Sequence, residues 1–133
     1  MTPRRILETN ALFTFVSAAA TLALRSTLHP LFGLDTPLVL DIVAVGLMAY
    51  VALLFVAARR QPIARQTLMA FALADAAWVM GSAIVLVLFW AELTPIARVL
   101  VIVAALAVEV FAALQYRAAG TAPSGREQIR SAA

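Results

Sequence analysis

The chain has 133 residues, of which 64% are hydrophobic and 13% charged, and its mean hydropathy is +0.97. In a soluble domain about half of the residues are apolar and about a quarter are charged. The apolar excess of this chain must therefore be solvated by lipid. The chain has no cysteine and a single histidine, His29, which excludes disulfides, thiol chemistry and, in one copy, a multi-histidine metal site or a bis-histidine haem. The net charge of +3 comes from arginines that flank apolar segments, so we expect no nucleic-acid partner. We also expect no metal and no cofactor.

Four apolar segments are long enough to cross a bilayer, which takes about 20 mostly apolar residues. They are residues 6–28, 38–58, 66–90 and 95–117. The first is the weakest, because its uncharged part is short and Glu8 and Arg25 lie towards its two ends. A cleaved signal peptide is the alternative interpretation of this segment. We favour a retained helix because its polar residues recur at helical spacing.

The connections between these segments are short, which favours antiparallel neighbours. Thr36-Pro37 and Thr94-Pro95 each have the pattern of an N-cap followed by proline at the first helical position, and Gln61-Pro62 interrupts the chain between the second and third segments. The sequence therefore predicts an all-α membrane protein, an antiparallel up-and-down bundle of four transmembrane helices formed by residues 1–117. Residues 118–133 lack an apolar cluster and predict a mobile tail.

Arginine placement predicts the orientation of the bundle. Eight arginines flank one end of the predicted helices, namely Arg4, Arg5, Arg59, Arg60, Arg65, Arg117, Arg126 and Arg130. Only Arg25 and Arg98 flank the other end. The positive-inside rule then places both termini in the cytoplasm. Because the chain is rich in alanine and has no lysine, its composition is typical of a GC-rich bacterial genome, so we expect the bacterial inner membrane.

Two acidic residues lie deep inside the predicted helices. Asp75 follows Arg65 by ten residues, and Glu109 precedes Arg117 by eight. At 1.5 Å of rise per residue they lie about 15 Å and about 12 Å from the same end of the bundle. Ionisable side chains at this depth are costly and usually face the bundle interior, so we expect the two acids to lie at nearly one level.

Further polar side chains are predicted to lie near these acids. In the first helix Asn10 and Thr14 belong to a stripe with three- and four-residue spacing, which places them on one face. The predicted intramembrane polar cluster comprises Asn10, Thr14, Asp75, Trp78, Glu109 and Gln115. At the other end of the bundle, Arg25 closes the first helix and Asp41 opens the second, so we expect an ion pair between them.

The cluster admits two interpretations. In the first interpretation, these side chains form hydrogen bonds between helices or contact a partner protein, as is common in membrane bundles. In the other, Asp75 and Glu109 form a proton or cation site, which would need a pathway through the bundle. We favour the first interpretation, and Trp78 is expected to pack beside Asp75.

From Asn10 to Gln115 the chain resembles a group of small uncharacterised bacterial four-helix integral membrane proteins. The resemblance rests on Asn10-Ala-Leu-Phe, on the segment from Ala74 through Asp75 and Trp78 to Ser82, and on Leu114-Gln115-Tyr116. It implies the four-helix fold and no particular activity, and it groups Asn10, Asp75, Trp78 and Gln115 as positions that belong together.

The sequence has no pattern typical of an enzyme. It has no nucleophile–base constellation, no metal-ligand spacing and no glycine-rich phosphate loop. We therefore expect a non-enzymatic structural or accessory subunit that packs laterally, contacting membrane lipids and other transmembrane helices in a larger membrane assembly or a homo-oligomer. The alternative is a small proton-coupled transporter or channel that uses Asp75 and Glu109. A third possibility is a lipid- or quinone-binding membrane protein.

Overall fold

A computed structural model describes residues 1–133, apart from the side chain of Gln128. The described residues form helices and connecting turns, with no strand among them. The helices are α1 (Pro3–Ala23), α2 (Arg25–Leu31), α3 (Leu38–Arg59), α4 (Arg65–Leu88), α5 (Pro95–Thr121) and α6 (Gly125–Ala132). Of these, α1, α3, α4 and α5 are long and apolar enough to cross a membrane, which indicates a multi-pass membrane protein.

Side-chain caps begin the helices α1 and α5. The Thr2 hydroxyl accepts from the backbone N–H of Arg5, and the Thr94 hydroxyl accepts from that of Ala97, both at 3.3 Å. Each cap is followed by a proline, whose missing N–H is no loss in the first turn of a helix. The expected cap at Thr36 does not form: Pro37 itself occupies the N-cap position of α3 and makes no side-chain cap bond.

Two of the four predicted helices have a boundary that differs from the sequence prediction by more than two residues. The first predicted helix, residues 6–28, is interrupted at Leu24, so that α1 ends at Ala23 and α2 continues to Leu31. The last predicted helix, residues 95–117, extends to Thr121. In the segment expected to be a mobile tail, Ser124 and Glu127 form a reciprocal capping box that starts α6. The Pro123 carbonyl also accepts from the backbone N–H of Arg65.

The four long helices pack as two close pairs, α1 with α3 and α4 with α5, and α1 also contacts α5. The main apolar core lies at the end where most arginines are found, which we call the arginine-rich end. It draws on the start of α1, the end of α3, the start of α4 and the end of α5, through Leu7, Ala11, Leu54, Ala58, Ile63, Leu68 and Ala119. All four long helices are therefore held together at this end.

At the opposite end, α2 is attached to the start of α5. The backbone N–H and the hydroxyl of Thr94 both donate to the Leu31 carbonyl, at 3.2 and 2.9 Å. Gly33 follows with φ +66°, and a Cβ built on it would lie 2.9 Å from the Glu92 carbonyl oxygen. Both the left-handed backbone and the close approach require glycine at this position.

We expect Gly33→Ala to lower the free energy of unfolding by about 1–3 kcal/mol, since a side chain there meets both backbone strain and the Glu92 carbonyl. Thermal unfolding in detergent, followed by circular dichroism, measures the change. Gly46→Ala in α3 is the matched control, because a Cβ at Gly46 meets nothing within 4 Å. Equal destabilisation by the two variants would contradict the assignment.

Candidate functional site

A buried carboxylate lies where α1, α3 and α4 approach one another. Helical spacing puts Leu68, Ala72 and Asp75 on the buried face of α4, and Asp75 is only 3% exposed. Its Oδ1 accepts from the Tyr50 hydroxyl at 2.8 Å, and its Oδ2 accepts from the Asn10 side-chain amide at 2.7 Å. One side chain thus connects three of the four long helices.

The donors to Asp75 are themselves held in place. The Thr14 hydroxyl donates to Asn10 Oδ1 at 3.2 Å, so the Asn10 amide accepts through its oxygen while it donates to Asp75 through its nitrogen. The Tyr50 ring packs edge-on against Phe71, with centroids 5.7 Å apart, and the Tyr50 oxygen lies 3.4 Å from the Phe71 carbonyl. Because a phenol has one proton and the carboxylate is closer, the hydroxyl donates mainly to Asp75.

Gln115 brings α5 to the same cluster. Its side chain is fully buried and interacts with the Asp75 carboxylate. The interaction does not reach hydrogen-bond geometry, and within the described residues neither Gln115 Nε2 nor Oε1 has a hydrogen-bond partner. Buried amides normally have such partners, so the Gln115 side chain can still donate and accept hydrogen bonds.

The Asp75 carboxylate is held by neutral donors. The two ion pairs of the described part of the chain, Arg4–Glu8 and Arg25–Asp41, both lie elsewhere. Within that same part, no group of three or more His, Cys, Asp or Glu side chains could hold a metal ion. The arrangement is suited to joining helices and to holding a single proton or small polar group.

Glu109 is not part of this cluster. It is an exposed residue of α5, next in sequence to the buried Val108 and therefore rotated by about 100° from it around the helix. It lines a shallow groove on the outer surface between α4 and α5, together with Val79, Ala83, Leu86, Ile102, Ala105 and Leu106. Their similar depth grouped the two acids in one predicted polar cluster, but depth does not determine the direction in which a side chain points.

Trp78 also lies away from the hydrogen bonds of the cluster. It is 42% exposed, and the described contact at this residue is its backbone carbonyl, which accepts from the Ser82 hydroxyl at 2.9 Å. Of the six residues predicted to form the cluster, the structure brings together the four buried ones, Asn10, Thr14, Asp75 and Gln115. It leaves Trp78 and Glu109 on exposed surfaces.

Tyr50 is the cluster residue that the sequence analysis overlooked. It lies within a long apolar run, where a single phenol hydroxyl hardly changes the mean hydropathy of the segment. The spacing of Tyr50 from the nearest arginine could have predicted its place in the cluster. Tyr50 precedes Arg59 by nine residues, so it lies about 14 Å from the arginine-rich end, close to the level of Asp75.

At the opposite end, Arg25 and Asp41 form an ion pair with 2.7 Å between Arg25 Nη1 and Asp41 Oδ2. It connects the start of α2 to the first turn of α3, where a negative charge also favours the helix dipole. The two side chains are 48% and 27% exposed. Exposed pairs contribute about 0–1 kcal/mol, so this pair orients the two helices more than it stabilises them.

Tyr50→Phe is expected to lower the free energy of unfolding by about 0.5–1.5 kcal/mol, because it removes the hydroxyl donor of Asp75 and retains the ring. Tyr116→Phe is the matched control, since Tyr116 is 64% exposed. Chemical unfolding in mixed micelles measures both. Unchanged stability in Tyr50→Phe would mean that the hydrogen bond contributes nothing.

A double-mutant cycle of Asn10→Ala and Asp75→Ala should give a coupling energy of about 0.5–2 kcal/mol, because each change removes the same 2.7 Å hydrogen bond. The same cycle with Asp41→Ala in place of Asp75→Ala should give additive effects, since Asp41 pairs with Arg25 at the other end. Additivity in both cycles would refute the Asn10–Asp75 contact.

The comparisons with known proteins add no further constraint on this site. No protein-family model, curated protein or solved structure matches the chain. The resemblance to small four-helix bacterial membrane proteins therefore stays a prediction. The features that bear on function are the geometry of the buried cluster and the outward-facing Glu109.

Proposed function

We propose that the chain is a non-enzymatic membrane subunit that packs laterally against other transmembrane helices, in a larger assembly or with itself. In this proposal it is an up-and-down four-helix bundle of the bacterial inner membrane with both termini in the cytoplasm. The proposal rests mainly on the exposure of Glu109, an ionisable side chain at membrane depth that the other described residues of the chain do not cover.

The depth of Glu109 leaves it without access to water. It precedes Arg117 by eight residues, which corresponds to about 12 Å along α5, in a hydrocarbon layer about 30 Å thick. Helical side chains tilt towards the N-terminus of their helix, and the N-terminus of α5 lies at the opposite end. Glu109 therefore points away from the nearer interface. A polar group in this position needs a protein partner to cover it.

The Asp75 cluster supports a structural role within the bundle. Asn10, Thr14 and Asp75 are each 5% exposed or less. The two hydrogen bonds that Asp75 accepts run between helices, and Thr14 supports them by donating to Asn10 within α1. In a subunit whose task is to present one surface to a partner, such a cluster keeps the helices in register.

A second candidate function, transport of a proton or small cation through Asp75, is favoured by one observation. The Gln115 amide beside the carboxylate has no hydrogen-bond partner among the described residues, so a small polar species there would find both a donor and an acceptor. In this version Asp75 acts without Glu109, which faces outward.

The leading proposal predicts that the full chain, extracted from its native membrane in mild detergent, lies in a particle whose protein mass, after the bound detergent is subtracted, is well above the 14.2 kDa of one chain. Quantitative mass spectrometry then identifies the accompanying protein, or finds only further copies of this chain. A chain that is monomeric across a range of gentle detergents, with no protein at fixed stoichiometry, would contradict the proposal. A stoichiometric lipid or quinone in such a sample would instead favour the ligand-binding alternative.

For wild-type chain in reconstituted vesicles, we expect no proton or cation flux above that of empty vesicles. Asp75→Asn and Glu109→Gln distinguish the alternatives, because each retains the shape of its side chain and removes the charge. Flux in the wild type that is lost only in Asp75→Asn would replace the structural proposal by the transport one.

A further inference from the structure

Positive charge that the chain does not neutralise is concentrated at the arginine-rich end. The acidic side chains of this end are already engaged: Glu8 pairs with Arg4, and Glu127 accepts from the backbone N–H of its own N-cap, Ser124. Within the described residues, no acidic side chain pairs with the other arginines of this end. All of these are exposed, namely Arg5, Arg59, Arg60, Arg65, Arg117, Arg126 and Arg130.

The opposite end of the bundle has no such surplus. Arg25 is paired there with Asp41. Arg98 donates to the Trp90 carbonyl at 3.0 and 2.6 Å, and its guanidinium carbon lies 4.2 Å from the centroid of the Trp90 ring. Both arginines of this end therefore bind groups of their own chain, whereas the guanidinium groups of the arginine-rich end are available to the surroundings.

The helix α6 combines two of the unpaired arginines with an exposed apolar side chain. Successive residues of a helix are rotated by 100°, so Arg126, Ile129 and Arg130 lie within an arc of about 100° on one face. Glu127 lies outside this arc, where its carboxylate caps the start of the helix. Ile129 is 75% exposed. A basic face that also carries an uncovered apolar side chain is typical of a helix that lies on a membrane surface.

The start of α6 is attached to the bundle at the level of the bilayer surface. The Pro123 carbonyl accepts from the backbone N–H of Arg65, the first residue of α4, at 3.1 Å. Gly125 lies so close to Gln66 that a Cβ built on it would be 2.9 Å from Gln66 Oε1. Because a spanning helix ends where the hydrocarbon layer ends, these contacts place the start of α6 beside the lipid headgroups.

We propose that the arginine-rich end binds the phosphate groups of anionic phospholipids, and that α6 lies on the bilayer surface with Ile129 inserted between the lipids. A guanidinium group can donate two parallel hydrogen bonds to one phosphate, and the upper acyl chains would cover the apolar side chain. An anionic lipid fits better than an acidic protein, because its phosphate is already present at the level where α6 begins. The inference is independent of the proposed lateral packing.

The depth of a nitroxide label on α6 tests the proposal in the full chain. The chain has no cysteine, so Ile129→Cys and, as the control, Ser131→Cys each provide a single labelling site. Position 131 is rotated by about 160° from position 129 and therefore lies on the opposite side of α6. Electron paramagnetic resonance then compares the accessibility of each label to oxygen, which concentrates in hydrocarbon, and to a water-soluble nickel chelate.

The label at position 129 should enter the bilayer when anionic lipid is present. In vesicles of three parts phosphatidylcholine to one part phosphatidylglycerol, we expect it to be accessible mainly to oxygen, and the label at position 131 to be accessible mainly to nickel. In phosphatidylcholine alone, or at high salt, which screens the attraction, both labels should be accessible mainly to nickel.

Removal of charge tests the role of the arginines. The double variant Arg126→Gln and Arg130→Gln should lower the ratio of inserted to water-exposed α6 roughly 5- to 30-fold, because each basic residue near an anionic surface contributes about 1 kcal/mol. The double variant Arg25→Gln and Arg98→Gln is the matched control, since it removes the same charge from the opposite end. We expect this control to leave the ratio unchanged.

The remaining outcomes overturn the proposal. Equal accessibility of the two labels to nickel in the anionic vesicles would show that α6 stays in water. Insertion of position 129 to the same extent in phosphatidylcholine alone would show that anionic phosphate has no part in it. If position 129 is protected in native membranes and not in vesicles of their extracted lipids, a protein and not a lipid covers α6. None of these results bears on the mass of the detergent-extracted particle, so lateral packing is tested separately.

Discussion

Inside a bilayer no water is present to satisfy a polar group, so each one has to find its partner in protein. Asp75 shows how this chain meets that requirement. Its two oxygens accept from Tyr50 on α3 and from Asn10 on α1, at 2.8 and 2.7 Å. Apolar side chains tolerate small rotations of a helix, but two short bonds to one carboxylate do not. The rotation of α1, α3 and α4 about their axes therefore depends on this contact, and the apolar core at the arginine-rich end packs the same helices together.

The same requirement applies to Glu109. Asp75 and Glu109 lie at a similar depth, yet Asp75 is buried and hydrogen-bonded inside the bundle, whereas Glu109 is exposed. Asp75 connects helices within the bundle, whereas Glu109 lies on its outer surface. The proposed lateral packing follows from this contrast.

Hydropathy was sufficient to predict the all-helical character of the chain, which the structure confirms, and four of its helices are long and apolar enough to cross a membrane. Helical spacing and depth also pointed to Asn10, Thr14 and Asp75, because periodicity on one helix and distance from its end can be read from a sequence. The direction of Glu109 could not be predicted, since the rotation of α5 relative to its neighbours is decided by packing between helices. Tyr50 was missed because one phenol hydroxyl hardly changes the mean hydropathy of a long apolar segment. The helix interruption at Leu24 was missed because no proline or glycine occurs at that position.

The division of the polar cluster between the two helix pairs has a consequence for biogenesis. The chain is made from its N-terminus, so α1 and α3 enter the membrane first and can pair before α4 exists. At that stage the Asn10 amide and the Tyr50 hydroxyl have no carboxylate to bond. An aspartate at the centre of an inserting helix costs about 2.5–3.5 kcal/mol, and two waiting donors offset part of that cost. We therefore expect the first helix pair to help α4 enter the bilayer, because the order of synthesis matches the order in which the bonds are needed.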